Sequence, residues 1–214
     1  WDWYVSLAYN PEMPAKRVTA HPPSEPPLAL LALRDEMSRP YILDDDQIAA
    51  FRRDGVVKLK GVISPGAVSL LRLTLARRLG AAFDTRLDGG AEGRFLSEEM
   101  AWLEDEALRA FTLSPRIAGI AGALLGAEAM RLYHDNLLSK EPGCGRTPWH
   151  YDDHHFPLDT QDVVTAWIPA QAIPRAMGPL AFAKPIDVWK QVAQVPFDKT
   201  DDSYDRQVAE IFKA

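Results

Sequence analysis

Helical and strand signals occupy different halves of this sequence. Between residues 44 and 126, apolar residues recur at helical spacing in segments that begin at Asp or Ser-Pro and end at Gly. After residue 128 the pattern changes to three strand-like runs, residues 129–140, 163–169 and 180–183, with turn-rich segments between them. Segregated elements of this kind predict an α+β fold, or a mainly β core with helices packed on one sheet, rather than alternating βαβ units.

Proline separates the start of the chain from the rest. Residues 1–40 hold seven of the 17 prolines, and proline fixes φ and removes a backbone donor. We therefore predict an N-terminal arm over residues 1–40, with at most a short helix near Leu28–Met37, and a folded domain over residues 41–214. Within that domain, residues 84–97 are predicted to be a loop and Glu98–Phe111 a helix.

Charge and hydropathy limit the partners of the chain. It carries 24 Lys and Arg against 30 Asp and Glu, a net charge of −6, which argues against nucleic-acid binding. Three arginines of one predicted helix, Arg72, Arg77 and Arg78, are expected to form a solvated face. We expect no membrane partner, since no apolar run approaches the roughly 18 residues that span a bilayer. Without a secretory signal pattern at the start and with Cys144 as the single cysteine, a reducing cytoplasm is the expected compartment.

The chemistry-bearing residues cluster between residues 134 and 155, where four of the five histidines lie. The triplet His150-Tyr151-Asp152 stands out, because residues i and i+2 of a strand point to the same side. One imidazole and one carboxylate would then face a common point, as in the two-histidine, one-carboxylate triad of non-haem Fe(II) sites. With five histidines and 19 aspartates in 214 residues, however, chance gives about 0.4 such triplets. The triplet alone is weak evidence, and the segments around it matter more.

Those segments carry a family resemblance. Over about residues 41–185, the chain resembles the phytanoyl-CoA dioxygenase family. The resemblance is carried by ordered motifs: residues 43–57 (LDDDQIAAFRRDGVV), 136–143 (NLLSKEPG), 148–152 (PWHYD), 163–169 (VVTAWIP) and 178–180 (GPL). Several motifs in a fixed order are far more specific than one triplet.

The resemblance implies a fold, an activity and site residues. The implied fold is a double-stranded β-helix, or jelly roll, with helices packed on one sheet. The implied activity is that of an oxygenase that uses Fe(II), 2-oxoglutarate and O₂ on a small organic substrate. By carry-over, His150 and Asp152 would be metal ligands, whereas Asn136 and Trp167 would contact the cosubstrate.

The sequence departs from the family pattern after the Gly-Pro-Leu segment. The family's second metal histidine and the arginine that holds 2-oxoglutarate come later, yet no histidine follows His155 here. His154 and His155 are expected in a turn close to Asp152 and are poor candidates for that distal ligand. We therefore expect an incomplete jelly roll, from a fragment or from a degenerate member, with a fragment favoured. Its open sheet edge would need a cover, such as a partner chain.

Three other functions fit parts of the same sequence. The first is a catalytically inactive jelly-roll protein that binds a ligand or partner. The second is a cupin-like isomerase or epimerase that uses His150 and Asp152 with His154 or His155. The third is a helical regulatory module with a small sheet. Dependence on 2-oxoglutarate separates the oxygenase from the first two, and the balance of strand to helix separates the last.

Overall fold

A computed structural model describes most of the chain after residue 26. The described residues are 27–82, 95–141, 147–150, 152, 156, 158–160, 162–183, 189–192, 194–196 and 203–212. Their α-helices are α1 (Leu28–Ser38), α2 (Asp45–Asp54), α3 (Pro65–Ala82), α4 (Glu106–Thr112), α5 (Pro115–Leu125), α6 (Trp189–Val192) and α7 (Ser203–Ile211). Their strands are β1 (Phe95–Glu99) and β2 (Asn136–Lys140), and short 3-10 helices occur at Ala101–Leu103 and Arg175–Met177.

Local capping residues set the ends of α2 and α5. Asp44 caps α2, since its carboxylate accepts a hydrogen bond from the backbone N–H of Gln47 and the Gln47 side chain accepts one in return. Ser114 caps α5 by accepting from the backbone N–H of Ile117. Gly55 and Gly126 end the two helices with a φ of 71°, a left-handed conformation that glycine adopts without steric cost.

The larger of two cores lies between helices and one face of the sheet. It is built from buried residues of α1, α3 and α4 together with one leucine from each strand, Leu96 and Leu137. Helices supply most of the buried side chains among the described residues, so the prediction of a mainly β core is not confirmed there. The coarser prediction of an α+β arrangement agrees with the structure, because α3 packs against both strands.

Helix α1 belongs to this core although it falls within the predicted arm. The short helix expected near Leu28–Met37 is present, and its Leu30, Leu33 and Met37 are buried. Residues 1–26 of the predicted arm lie outside the described residues. The division of the whole chain into an arm and a domain stays a prediction.

The two strands pair antiparallel with each other. Leu96 lies opposite Ser139, and Glu98 lies opposite Leu137. The predicted loop over 84–97 and the predicted helix from Glu98 are thus wrong where β1 runs, while residues 83–94 lie outside the described residues. The strand gives no alternating apolar pattern because Glu98, a charged residue, lies on its core-facing side. The Glu98 carboxylate pairs there with Arg78.

The prediction that the arginines of α3 form a solvated face is wrong for Arg78. Its side chain is 12% exposed, and its guanidinium group contacts the carboxylates of Glu98 and Glu104, at 2.5 and 3.0 Å. These contacts raise the pKa of Arg78 above its usual value, and the hydrogen bonding that Arg78 donates to the Glu98 carboxylate is the largest cause. The neighbouring Arg77 pairs with Asp105, whereas Arg72 is exposed. The face therefore ties α3 to β1 and to the segment before α4.

The strand predictions for the second half hold only in part. Of the predicted run 129–140, residues 136–140 form β2. The runs 163–169 and 180–183 are described and form no strand, since no described segment pairs with them. The described residues thus contain a two-stranded sheet rather than a jelly roll, and a partner chain over its edge stays a prediction. Among these residues no helix is long and apolar enough to cross a membrane.

Candidate functional site

His150 and Asp152 lie side by side. The His150 Nε2 atom is 3.7 Å from the Asp152 Oδ1 atom, and the two side chains are 43% and 40% exposed. First-row metal ions such as zinc sit about 2.0–2.2 Å from nitrogen and oxygen ligands. Two atoms 3.7 Å apart are therefore near enough to share one ion, and their exposure leaves that side accessible.

The backbone and a hydroxyl group orient the two side chains. His150 Nδ1 is 2.8 Å from the Pro148 carbonyl oxygen. A carbonyl oxygen only accepts, so Nδ1 carries the hydrogen and the neutral ring has its lone pair on Nε2, the atom on the Asp152 side. The Thr165 hydroxyl donates to Asp152 Oδ2 over 2.6 Å. Contacts of this kind, to the far side of each ligand, are typical of protein metal sites.

Packing on both sides holds the segment that carries the pair. Phe156 makes edge contacts with the rings of Tyr133 and His134, at 5.4 and 5.2 Å between centroids. These two residues come just before β2, so the segment is attached near the start of that strand. On the other side, Trp149 packs edge-on against Phe212 at 4.6 Å.

Asn136 occupies the first position of β2. Strand alternation puts it on the same face as the exposed Leu138, opposite the buried Leu137. Its Oδ1 atom is buried and has no hydrogen-bond partner among the described residues. A buried unpaired amide oxygen is costly, so this side chain has bonding capacity that a ligand could use.

Trp167, the other predicted cosubstrate contact, lies on the segment 163–169. It is 45% exposed, and among the described residues no hydrogen bond or ring contact joins it to His150, Asp152 or Asn136. Its neighbour Ile168 packs against the larger core. Two positions earlier, Thr165 contacts Asp152, so the segment of Trp167 does reach the site.

A partly buried carboxyl group, that of Asp135, lies beside Asn136. Burial raises the pKa of Asp135 above the usual aspartate value, although a hydrogen bond from the Trp102 backbone N–H acts in the opposite direction. Asp135 also fixes the chain at the end of β1, where its carbonyl accepts from the N–H of Met100. Met100 has a φ of 57°, a left-handed conformation that is strained for a side chain of this type.

Within the described part of the chain, no group of three histidine, cysteine, aspartate or glutamate residues is arranged to hold a metal. Of the residues considered as metal ligands, the structure describes His150 and Asp152. His154 and His155, the nearby alternatives, lie outside the described residues.

Two contacts of this region were missed from the sequence. Thr165 stands two residues before Trp167 in the motif 163–169, and alternation along an extended segment would have marked it as sharing the tryptophan's side. The Tyr204 hydroxyl donates to the Trp149 carbonyl over 2.6 Å. No local sequence pattern predicts that contact, because the two residues are 55 positions apart.

Comparison with known proteins places these residues in a family. The family model for phytanoyl-CoA dioxygenase (PhyH) matches residues 51–207, a span that includes the His150–Asp152 pair, Thr165 and Tyr204. Neither the search of curated proteins nor the search of solved structures gives a match. Because the family match covers well over half of the sequence, the chain belongs to the phytanoyl-CoA dioxygenase family.

Proposed function

We propose that this protein is an Fe(II)- and 2-oxoglutarate-dependent oxygenase that acts on a small organic substrate, with His150 and Asp152 as two of the metal ligands. The observation that carries the proposal is the 3.7 Å approach of His150 Nε2 to Asp152 Oδ1. Family membership supports the cofactor and the class of reaction. The jelly-roll architecture of the family belongs to the same proposal.

The donor set fits the ion. An imidazole nitrogen and a carboxylate oxygen are the ligand types of the facial triad that suits non-haem Fe(II), and such a triad leaves positions open for a cosubstrate. The Pro148 carbonyl fixes the His150 tautomer, and the Thr165 hydroxyl holds the second Asp152 oxygen. In this proposal the third protein ligand comes from outside the described residues.

Asn136 and Trp167 are proposed to contact 2-oxoglutarate. The Asn136 amide can donate to a carboxylate through Nδ2, and its buried Oδ1 accepts no hydrogen bond within the described part of the chain. The exposed Trp167 ring offers an apolar surface. When bound, iron and 2-oxoglutarate would supply the activation of O₂, and the protein would supply orientation and exclusion of water.

The direct test is metal binding followed by turnover. Fe(II) affinity is measured under anaerobic conditions for the wild type, His150→Ala and Asp152→Ala, and succinate release from 2-oxoglutarate is then measured with Fe(II) and ascorbate. We expect either substitution to weaken Fe(II) binding by more than about 100-fold, because each removes a ligand rather than its support. Asp159→Ala is the matched control, since Asp159 is exposed. Stoichiometric Fe(II) binding retained in either site variant would contradict the proposal.

The same measurements separate the alternatives. A binding protein without catalytic activity releases no succinate even when folded and loaded with metal. A cupin-like isomerase binds metal through the same pair but gives an activity that is indifferent to 2-oxoglutarate.

A further inference from the structure

We infer that Tyr204 is a positioning residue for the candidate metal-binding pair and that it acts through the peptide bond between Trp149 and His150. Its importance for activity rests on the proposed function above, while its effect on the conformation of residues 147–150 does not.

The hydrogen bond falls on the peptide unit that His150 shares. Tyr204, on α7, is 6% exposed, and its hydroxyl donates to the Trp149 carbonyl oxygen over 2.6 Å. That carbonyl and the His150 nitrogen belong to one planar peptide group. Fixing the oxygen therefore fixes the plane from which the His150 side chain departs.

A small second core makes Tyr204 a rigid anchor. Val192, Tyr204 and Val208 form its buried centre, and Val208 has no exposed surface. Trp149 packs against this core, and its ring meets Phe212 edge-on with an interplanar angle of 82°. The contact thus joins Trp149 to α7 through both its backbone and its side chain.

The segment that carries His150 depends on such anchoring. Residues 147–150 form neither helix nor strand, so no ladder of backbone hydrogen bonds fixes them. On one side of Trp149, the Pro148 carbonyl holds the imidazole, and on the other side the Trp149 carbonyl is held by Tyr204. A ligand must be held closely to its productive geometry to bind well, and the Tyr204 hydroxyl meets that need from 54 residues away in sequence.

The test compares two tyrosines that each donate to a backbone carbonyl. Tyr204→Phe removes only the hydroxyl at the anchor. Tyr41→Phe is the matched control, since the Tyr41 hydroxyl donates to the Lys60 carbonyl over 3.0 Å, away from the site. Amide hydrogen exchange of the peptide that covers residues 147–152 is measured in the metal-free full chain, and Mn(II) affinity is measured by calorimetry. Circular dichroism verifies that both variants are folded.

The expected result is specific to one variant. Tyr204→Phe should speed exchange of that peptide by about fivefold, the effect of losing one hydrogen bond that resists local opening. It should also weaken Mn(II) binding by about threefold to tenfold, below the full effect of removing a direct partner of a ligand. Tyr41→Phe should change neither quantity.

The two readouts distinguish failure of the inference from failure of the proposed function. Unchanged exchange in Tyr204→Phe overturns the inference whatever the metal does, and so does an equal change in Tyr41→Phe. Unchanged Mn(II) affinity despite faster exchange overturns the claim that Tyr204 positions a ligand. A wild type that does not bind Mn(II), together with faster exchange in Tyr204→Phe, refutes the proposed metal site and confirms the conformational anchor.

Discussion

The hydroxyl group of Thr165 holds one of the two proposed metal ligands. It donates to Asp152 Oδ2, which leaves Oδ1 as the oxygen that faces His150. We expect Thr165→Val, which keeps the shape and removes the hydroxyl, to weaken Mn(II) binding by about tenfold, because outer partners of metal ligands have effects of this size. Calorimetric titration of the full chain measures it.

Thr160→Val is the control for that prediction. The Thr160 hydroxyl accepts a hydrogen bond from the backbone N–H of Asp162, so the same chemical change removes a side-chain hydrogen bond at an exposed position. Equal affinities of the Thr165 variant and the wild type would show that Asp152 does not need this partner.

The sequence predicted some of the site residues but not the contacts that orient them. His150 and Asp152 were predicted as ligands from the motif around them, and the structure brings them within 3.7 Å, although their role as ligands is a proposal. Trp167 was predicted in the same way, but no hydrogen bond or ring contact joins it to them among the described residues. No sequence motif predicts the contacts of the Pro148 carbonyl and the Tyr204 hydroxyl. Every residue has a carbonyl group, and Tyr204 is distant from the site in sequence.

At the scale of elements, Arg78 decides how α3 meets the sheet. Its guanidinium group contacts Glu98 on β1 and Glu104 after it. We expect Arg78→Met to lower the free energy of unfolding by about 2 kcal/mol, because it leaves the partly buried Glu98 carboxylate without its counter-ion. Urea unfolding followed by circular dichroism measures this loss.

Arg72→Met is the comparison for Arg78→Met, since Arg72 is an exposed residue on the same helix. It should change the unfolding free energy by less than about 0.5 kcal/mol. Equal stability of the two variants would mean that the contacts of Arg78 contribute no more than a solvated charge.

The starts of α2, α3 and α5 were predictable from sequence, but the start of α4 and the strand pairing were not. Asp44, Ser64-Pro65 and Ser114-Pro115 act on the backbone within three residues, so their effect is local. The pairing of β1 with β2 joins residues about 40 positions apart, and the charged residues of β1 give no strand signal. Glu98 lies on the core-facing side of β1, where it pairs with Arg78. Similarly, strand-like residues in 163–169 and 180–183 do not create a strand without a neighbour.

At the scale of the whole molecule, the described residues divide their buried side chains between two cores. The larger one joins α1, α3, α4 and the sheet, and the smaller one joins α6, α7 and Trp149. The candidate metal-binding pair follows Trp149 directly, so it lies where the smaller core meets the irregular segment. The sequence predicted a folded domain over residues 41–214, but not this division, which depends on contacts between distant residues.

Helix α1 tests where the folded unit begins. Leu33 is 2% exposed and belongs to the larger core, whereas Leu28, on the same helix, is 85% exposed. Leu33→Ala should therefore lower the free energy of unfolding by about 3 kcal/mol, through lost burial and a cavity, and Leu28→Ala should change it by less than about 0.5 kcal/mol. Urea unfolding of both variants gives the difference directly. Equal midpoints with equal slopes would mean that α1 behaves as part of an arm, as the prolines of the sequence predict, whereas a large gap would place the start of the folded unit before residue 33.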